Sequence, residues 1–201
     1  MRRCNREGEK MEINKIPKTG RIGRFAKIIT EDLGEDIMLE VMKDSDNYSS
    51  LKAPQKAEWW RAAVERLENA VGGDKAIKIM NICGSRCCGQ GNRKTAKRLM
   101  DESKSVEEFL VKASNYEVKE GEIEYTLKDE NTIIGTFNKC FCGQVRQTKK
   151  PFESKTYCQC SVEFHRQFFK AAFGNPVDVE LTQSIITGAD SCKFIIRINE
   201  E

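Results

Sequence analysis

The stretch EIEYTLKDENTIIGTF, residues 122–137, decides the fold class. Glu122 to Leu127 alternates polar and apolar side chains in the manner of a strand, Lys128 to Asn131 offers a turn, and Thr132 to Phe137 returns as a second strand. Downstream, Val162 to Phe173 reads as a helix that meets its stop at Gly174, Asn175 and Pro176. Val177 to Leu181 and Cys192 to Ile198 follow as a closing strand pair, linked through Gly188, Ala189 and Asp190. The order is β-β-α-β-β, which predicts a mainly antiparallel sheet.

Upstream of this stretch the pattern is helical. Phe25, Ile28, Ile29 and Leu33 recur at helical spacing before Gly34, and Ile37, Val41 and Met42 add another turn or two. Pro54 opens a longer helix with a stripe of Trp60, Val64, Leu67 and Val71, ended by Gly72 and Gly73. Ala76 to Ile82 forms a short apolar helix or strand leading to Cys83, where Gly84, Gly89 and Gly91 predict a loop. Ser105 and Glu108 have the spacing of a capping box. The expected fold is α+β: a helical amino-terminal half packed on the sheet. Residues 1–20 read as a flexible basic tail, 21–116 as the helical region, and 117–201 as an α+β domain that forms one compact unit with it.

Composition narrows the function classes. Of 201 residues, 34 are Lys or Arg and 31 Asp or Glu, for a net charge of +3. That balance argues against a protein built to coat nucleic acid or acidic lipid. The amino terminus, MRRCNREGEK, lacks the apolar run of a secretory signal, and no stretch approaches the ~20 apolar residues of a membrane span. Nine cysteines without an export signal point to the reducing cytoplasm, where thiols bind metal or do chemistry.

The cysteines fall in groups. Cys140-Phe141-Cys142 and Cys158-Gln159-Cys160 are two Cys-x-Cys pairs. On extended backbone residues i and i+2 share a face, so each pair can aim both sulfurs at one point, and four thiolates suit tetrahedral zinc. Upstream, Cys83, Cys87 and Cys88 form a third group expected to approach the same site. Zinc is the expected metal, with an iron–sulfur cluster second because the usual Cys-x-x-Cys runs are absent. Inert burial of small apolar thiols is the bland alternative.

His165 is the only histidine. On a helical wheel it falls in the arc of Val162, Phe164, Phe168, Phe169, Ala172 and Phe173, so the imidazole is expected to face the core or a pocket near Cys160 and Cys192. A core histidine with one satisfied hydrogen bond weighs equally with a ligand or proton shuttle. Phe164, Phe168 and Phe169 would supply the apolar wall of a ligand site.

The carboxy-terminal third resembles the vinyl reductase-type small-molecule-binding domain family. The residues that carry the resemblance are Ser161 to Phe173, Gly174-Asn175-Pro176-Val177, and Ile185 through Gly188-Ala189-Asp190-Ser191-Cys192-Lys193-Phe194. The same ending is similar to that of aminothiazoline carboxylate hydrolase-like proteins. The Cys-Gly-x-x-Cys-Cys-Gly and Cys-x-Cys-Gly motifs resemble those of a bacterial or archaeal family of unknown function. The first resemblance implies Cys192 as a zinc ligand with a second cysteine eight residues earlier; Ser184 stands there in this chain.

Together these readings predict a cytoplasmic, sensor-like small-molecule-binding protein with a cysteine-held metal. An alternative is a metal- or cysteine-dependent hydrolase of a small substrate, with Cys160 or Cys88 as nucleophile and His165 as base. A zinc-dependent nucleic-acid binder using Arg86, Arg93, Lys94, Lys97 and Arg98 ranks last, because the basic run has no interleaved aromatics and reads as a solvated helix face.

Overall fold

Stop signals and apolar stripes act in the structure where the sequence places them. In the computed structural model, residues 15–116 and 118–199 are described, so most of the expected tail lies outside the described residues. Helix α1 (Gly20–Leu33) buries Phe25, Ile28 and Ile29 and ends at Gly34; α2 (Glu35–Val41) follows. Helix α3 (Ala53–Val71) carries Pro54 in its first turn and buries Trp60, Val64 and Leu67. The Trp60 indole donates to the Tyr48 hydroxyl at 2.8 Å and Trp59 donates to the Lys43 carbonyl at 2.9 Å, so both ring N–H groups are paired inside the helical layer. Helix α5 (Val106–Ser114) opens on the expected cap, with the Glu108 amide donating to Ser105 Oγ at 3.3 Å.

The segment from Gly73 to Asp101 departs from expectation. It is one helical run, α4, kinked at Gly89 (φ 56°, ψ 176°), rather than a short element followed by a loop. Packing overrides the glycine signal here: Gly84 lies against helix α6 (Gln159–Phe173), and a Cβ on it would stand 2.3 Å from the Cys160 carbonyl oxygen. The basic run continues down α4 as a surface face, where Lys97 pairs with Asp101 and Arg98 with Glu102 at i,i+4 spacing.

The sheet has four antiparallel strands in the order β1-β2-β4-β3 (Ile123–Asp129, Thr132–Phe137, Cys192–Ile198 and Val177–Gln183). Val177, Val179 and Leu181 of β3 and Phe194 and Ile196 of β4 are buried at alternate positions, as a sheet with one covered face requires. Helix α6 covers that face with Val162, Phe168, Phe169 and Ala172. The architecture is α+β, helical first and sheet last. Among the described residues no helix is long and apolar enough to cross a membrane.

Two apolar clusters result. One joins α1–α3 and the start of α4 to Val145, Phe152 and Tyr157; the other joins the end of α4, α5 and α6 to the sheet. Cys83, Cys140, Cys142 and Cys160 pack against the first, and Cys158 touches both. With Cys88 and Cys192 inside the second cluster, cysteines flank the seam between the two layers from both sides.

Candidate functional site

The seam is positioned by a chain of close approaches. Gly135 on β2 has no side chain, and a Cβ there would stand 2.9 Å from Cε1 of Tyr125 on the neighbouring strand. The tyrosine ring lies across that gap and brings its hydroxyl to His165 on α6, 3.0 Å from Nε2. The other ring nitrogen, Nδ1, lies 2.6 Å from the Ser161 carbonyl oxygen. A carbonyl only accepts, so Nδ1 carries the proton and Nε2 accepts from Tyr125. Burial pushes the Tyr125 phenol up, which keeps its proton available for that bond. Burial also pulls His165 down to about 4, only partly opposed by the bond to Ser161. The imidazole is neutral, with Phe194 at 4.3 Å and Phe137 at 5.1 Å between ring centroids.

Beside this histidine lies a cavity of about 330 Å³. Tyr125 and Phe137 from the sheet, Phe164, His165 and Phe168 from α6, Ala113 from α5 and Phe141 from the loop after β2 form most of its wall. Of the expected ligand-site residues, His165, Phe164 and Phe168 line it. Phe169 stands behind them, fully buried, its ring 5.2 Å from that of Tyr125.

The polar end of the cavity is built on Arg21, which projects from the first turn of α1. Its Nη1 donates to Cys142 Sγ at 2.9 Å and its Nη2 to Cys87 Sγ at 3.1 Å. Both sulfurs and Cys160 line the cavity with it. Burial works against the Arg21 charge, but the neighbouring Cys142, Tyr157, Cys87 and Cys160 more than offset it, so its proton is held more tightly than usual. The Tyr157 hydroxyl lies 3.1 Å from Cys142 Sγ. A second sulfur group forms at Ser184, which contacts Cys158 at 3.2 Å and Cys192 at 4.0 Å.

The expected metal centre is not what these groups make. Cys140 and Cys142 lie in an irregular loop and Cys158 and Cys160 at the entry to α6, so neither pair is on a strand that would aim its sulfurs together. Cys83, Cys87 and Cys88 lie on one helix: Cys87 reaches the cavity, whereas Cys88 is fully buried in the second apolar cluster. Among the described residues, no three His, Cys, Asp or Glu side chains are grouped to hold a metal ion. All eight described cysteines are free. Burial raises Cys83 to about 12, Cys140 to about 11 and Cys158 to about 12, and lifts Cys88 and Cys160 as well. The zinc expectation, on Cys140, Cys142, Cys158, Cys160, Cys83, Cys87, Cys88 and Cys192, is therefore withdrawn, and the iron–sulfur alternative on the same thiols with it. The pairing of Cys160 or Cys88 with His165 as base has no contact behind it, because the imidazole bonds go to Ser161 and Tyr125.

Sequence reasoning missed Arg21, Tyr125 and Tyr157. Arg21 carried a signal: with Phe25 and Ile28 it stands at i, i+4 and i+7, a cation on the buried stripe of its helix.

Comparison with known proteins agrees on the fold. A mutant H-NOX protein from K. algicida, in its Fe(II) unliganded state, superposes with a TM-score of 0.55 over 90% of this chain and 96% of its own, at 12% identity. An H-NOX protein from S. oneidensis in the Fe(II)NO state gives 0.47 over 90% and 98%, at 15% identity. The K. algicida protein is an Fe(II) protein, and the zinc expectation finds no support in it. No curated protein matches the sequence. Residues 14–201 match the family of unknown function DUF6144, and the chain belongs to that family.

Proposed function

We propose that this protein is a sensor-like small-molecule-binding module whose ligand occupies the cavity between α6, the sheet and Arg21. The observation that carries the reading is the cavity: about 330 Å³, mostly aromatic in its walls, with a few convergent polar groups at one end. Ligand sites typically have ~300–1,000 Å³ and this mixture of surfaces. In this reading His165, Phe164 and Phe168 bound the ligand and Phe169 holds them from behind. The helical region 21–116 and the α+β region 117–201 act as one unit, since Arg21 and Cys87 from the first meet Cys142 and His165 from the second at one cavity. The fold shared with the K. algicida H-NOX protein supports the same reading.

Haem is the group that the H-NOX fold implies, and the residues at this cavity do not fit it. An axial histidine needs a ring nitrogen with a free lone pair. The Nε2 lone pair of His165, the sole histidine, is taken by Tyr125, and Nδ1 carries its proton toward Ser161. Cys87 and Cys142 are already held by Arg21. The ligand proposed is organic and largely apolar.

The test is a fluorescent apolar probe, 1-anilinonaphthalene-8-sulfonate, titrated into the protein and into Ala113→Phe. Ala113 lines the cavity and is nearly buried, so the larger ring projects into the space a ligand would use. Saturable binding near one equivalent, weakened at least about tenfold in the variant, is expected, a loss of ~1.4 kcal/mol or more. Equal binding by both proteins, with both folded by circular dichroism, would refute the assignment.

A further inference from the structure

One sulfur at the cavity differs from the others. Cys142 Sγ has two polar neighbours: Arg21 Nη1 donates to it at 2.9 Å, and the Tyr157 hydroxyl lies 3.1 Å away. Tyr157 is almost fully buried and burial pushes its phenol well up, so it keeps its proton and has a hydrogen to offer a charged sulfur. Cys87 receives only the second arm of Arg21, and burial favours the neutral thiol at Cys160 and Cys140. Arg21 also makes this end of the cavity electropositive. Among the described residues Arg21 has no carboxylate partner, although a cation placed this far inside a protein is ordinarily paired. Reactive cysteines occupy such electropositive, partly accessible settings, and Cys142 is half-buried on the cavity wall.

We propose that Cys142 is a nucleophilic thiol that captures soft carbon electrophiles of the α,β-unsaturated carbonyl class within the cavity, with Arg21 and Tyr157 as the positioning residues that stabilise charge on its sulfur. The class follows from the site: a soft sulfur nucleophile faces aromatic walls that suit a flat unsaturated body. The thiol proton leaves to solvent and sulfur forms a bond to the β-carbon. The carbon–carbon π pair moves to the carbonyl oxygen, giving an enolate beside the Arg21 guanidinium. Solvent then returns a proton to the α-carbon, so the product is a thioether and no oxidant or reductant is consumed.

The proposal rests on the cavity being the ligand site, and the experiment separates the two. The full chain is treated at neutral pH with limiting N-ethylmaleimide, an α,β-unsaturated imide, and the adduct is located by peptide mapping. Cys142 is expected to be labelled before any of the other eight cysteines. Removing a charge-assisted donor in Arg21→Gln slows that labelling at least about tenfold, and Tyr157→Phe, which keeps the ring, slows it several-fold. Labelling that begins at another cysteine, or a Cys142 rate unchanged in folded Tyr157→Phe, overturns the capture role. Anilinonaphthalene sulfonate binding by Cys142→Ser reports on the cavity alone. Probe bound with Cys142 slow sinks only the nucleophile, whereas Cys142 fast with no probe bound sinks only the ligand site.

Discussion

Gly84→Ala is expected to destabilise the protein by about 3 kcal/mol or more, because its new methyl group has no space that a side chain could yield. The ideal Cβ position is 2.3 Å from the Cys160 carbonyl oxygen and 2.9 Å from its carbonyl carbon, and all these neighbours are backbone. Accommodating the methyl requires α4 and α6 to separate along the contact that also sets the spacing of Cys87, Cys160 and Arg21. Thermal denaturation should show a midpoint lower by roughly 10 °C, given ~2–4 °C per kcal/mol for a chain of this size. A midpoint within about 2 °C of the parent would mean that the helices do not pack at this distance. The same substitution at Gly91, which has open space around it, serves as the control.

Acid should weaken the fold through His165. Its folded value of about 4 lies below the 6.5 of an exposed histidine because the ring is buried. Between those two values the unfolded chain binds the proton and the folded one refuses it. Stability is therefore full above pH 6.5 and falls as the pH drops toward 4, by about 3 kcal/mol if the whole shift is expressed. His165→Phe removes the titrating group while keeping an aromatic ring beside Phe194 and Phe137. The variant loses some absolute stability, because Tyr125 and Ser161 lose a partner, but its urea midpoint should be flatter than the parent's between about pH 6.5 and 4.5. Parallel pH profiles for the two proteins would show that the imidazole is not buried neutral.

Much of the fold is legible in the sequence because its signals are local. The alternation at residues 122–137, the cap at Ser105 and the stop at Gly174 each act within a few residues of where they are read. The segment around Gly84, Gly89 and Gly91 reads as a loop because a glycine that admits a neighbouring helix looks, in sequence, like one that breaks its own. Periodicity alone places His165 on the inner arc, and it is buried there. Its partner Tyr125 is not foreseeable, since a bond across 40 residues depends on strand register and on the missing side chain of Gly135. The cysteine spacing is visible but its geometry is not: the i, i+2 rule holds on strands, and the pairs sit in a loop and at a helix entry. Arg21 escapes notice because a cation at the edge of a basic tail reads as solvated, although it holds two thiols from distant parts of the chain.

Intermolecular nuclear Overhauser effects between bound anilinonaphthalene sulfonate and the protein locate the ligand site. Contacts are expected from the probe to the rings of Phe137, Phe164 and Phe168 and to the methyl of Ala113, all on the 330 Å³ cavity. Contacts confined to Ile16, Leu39 and Met42, which line a separate cavity of about 260 Å³, would contradict that placement.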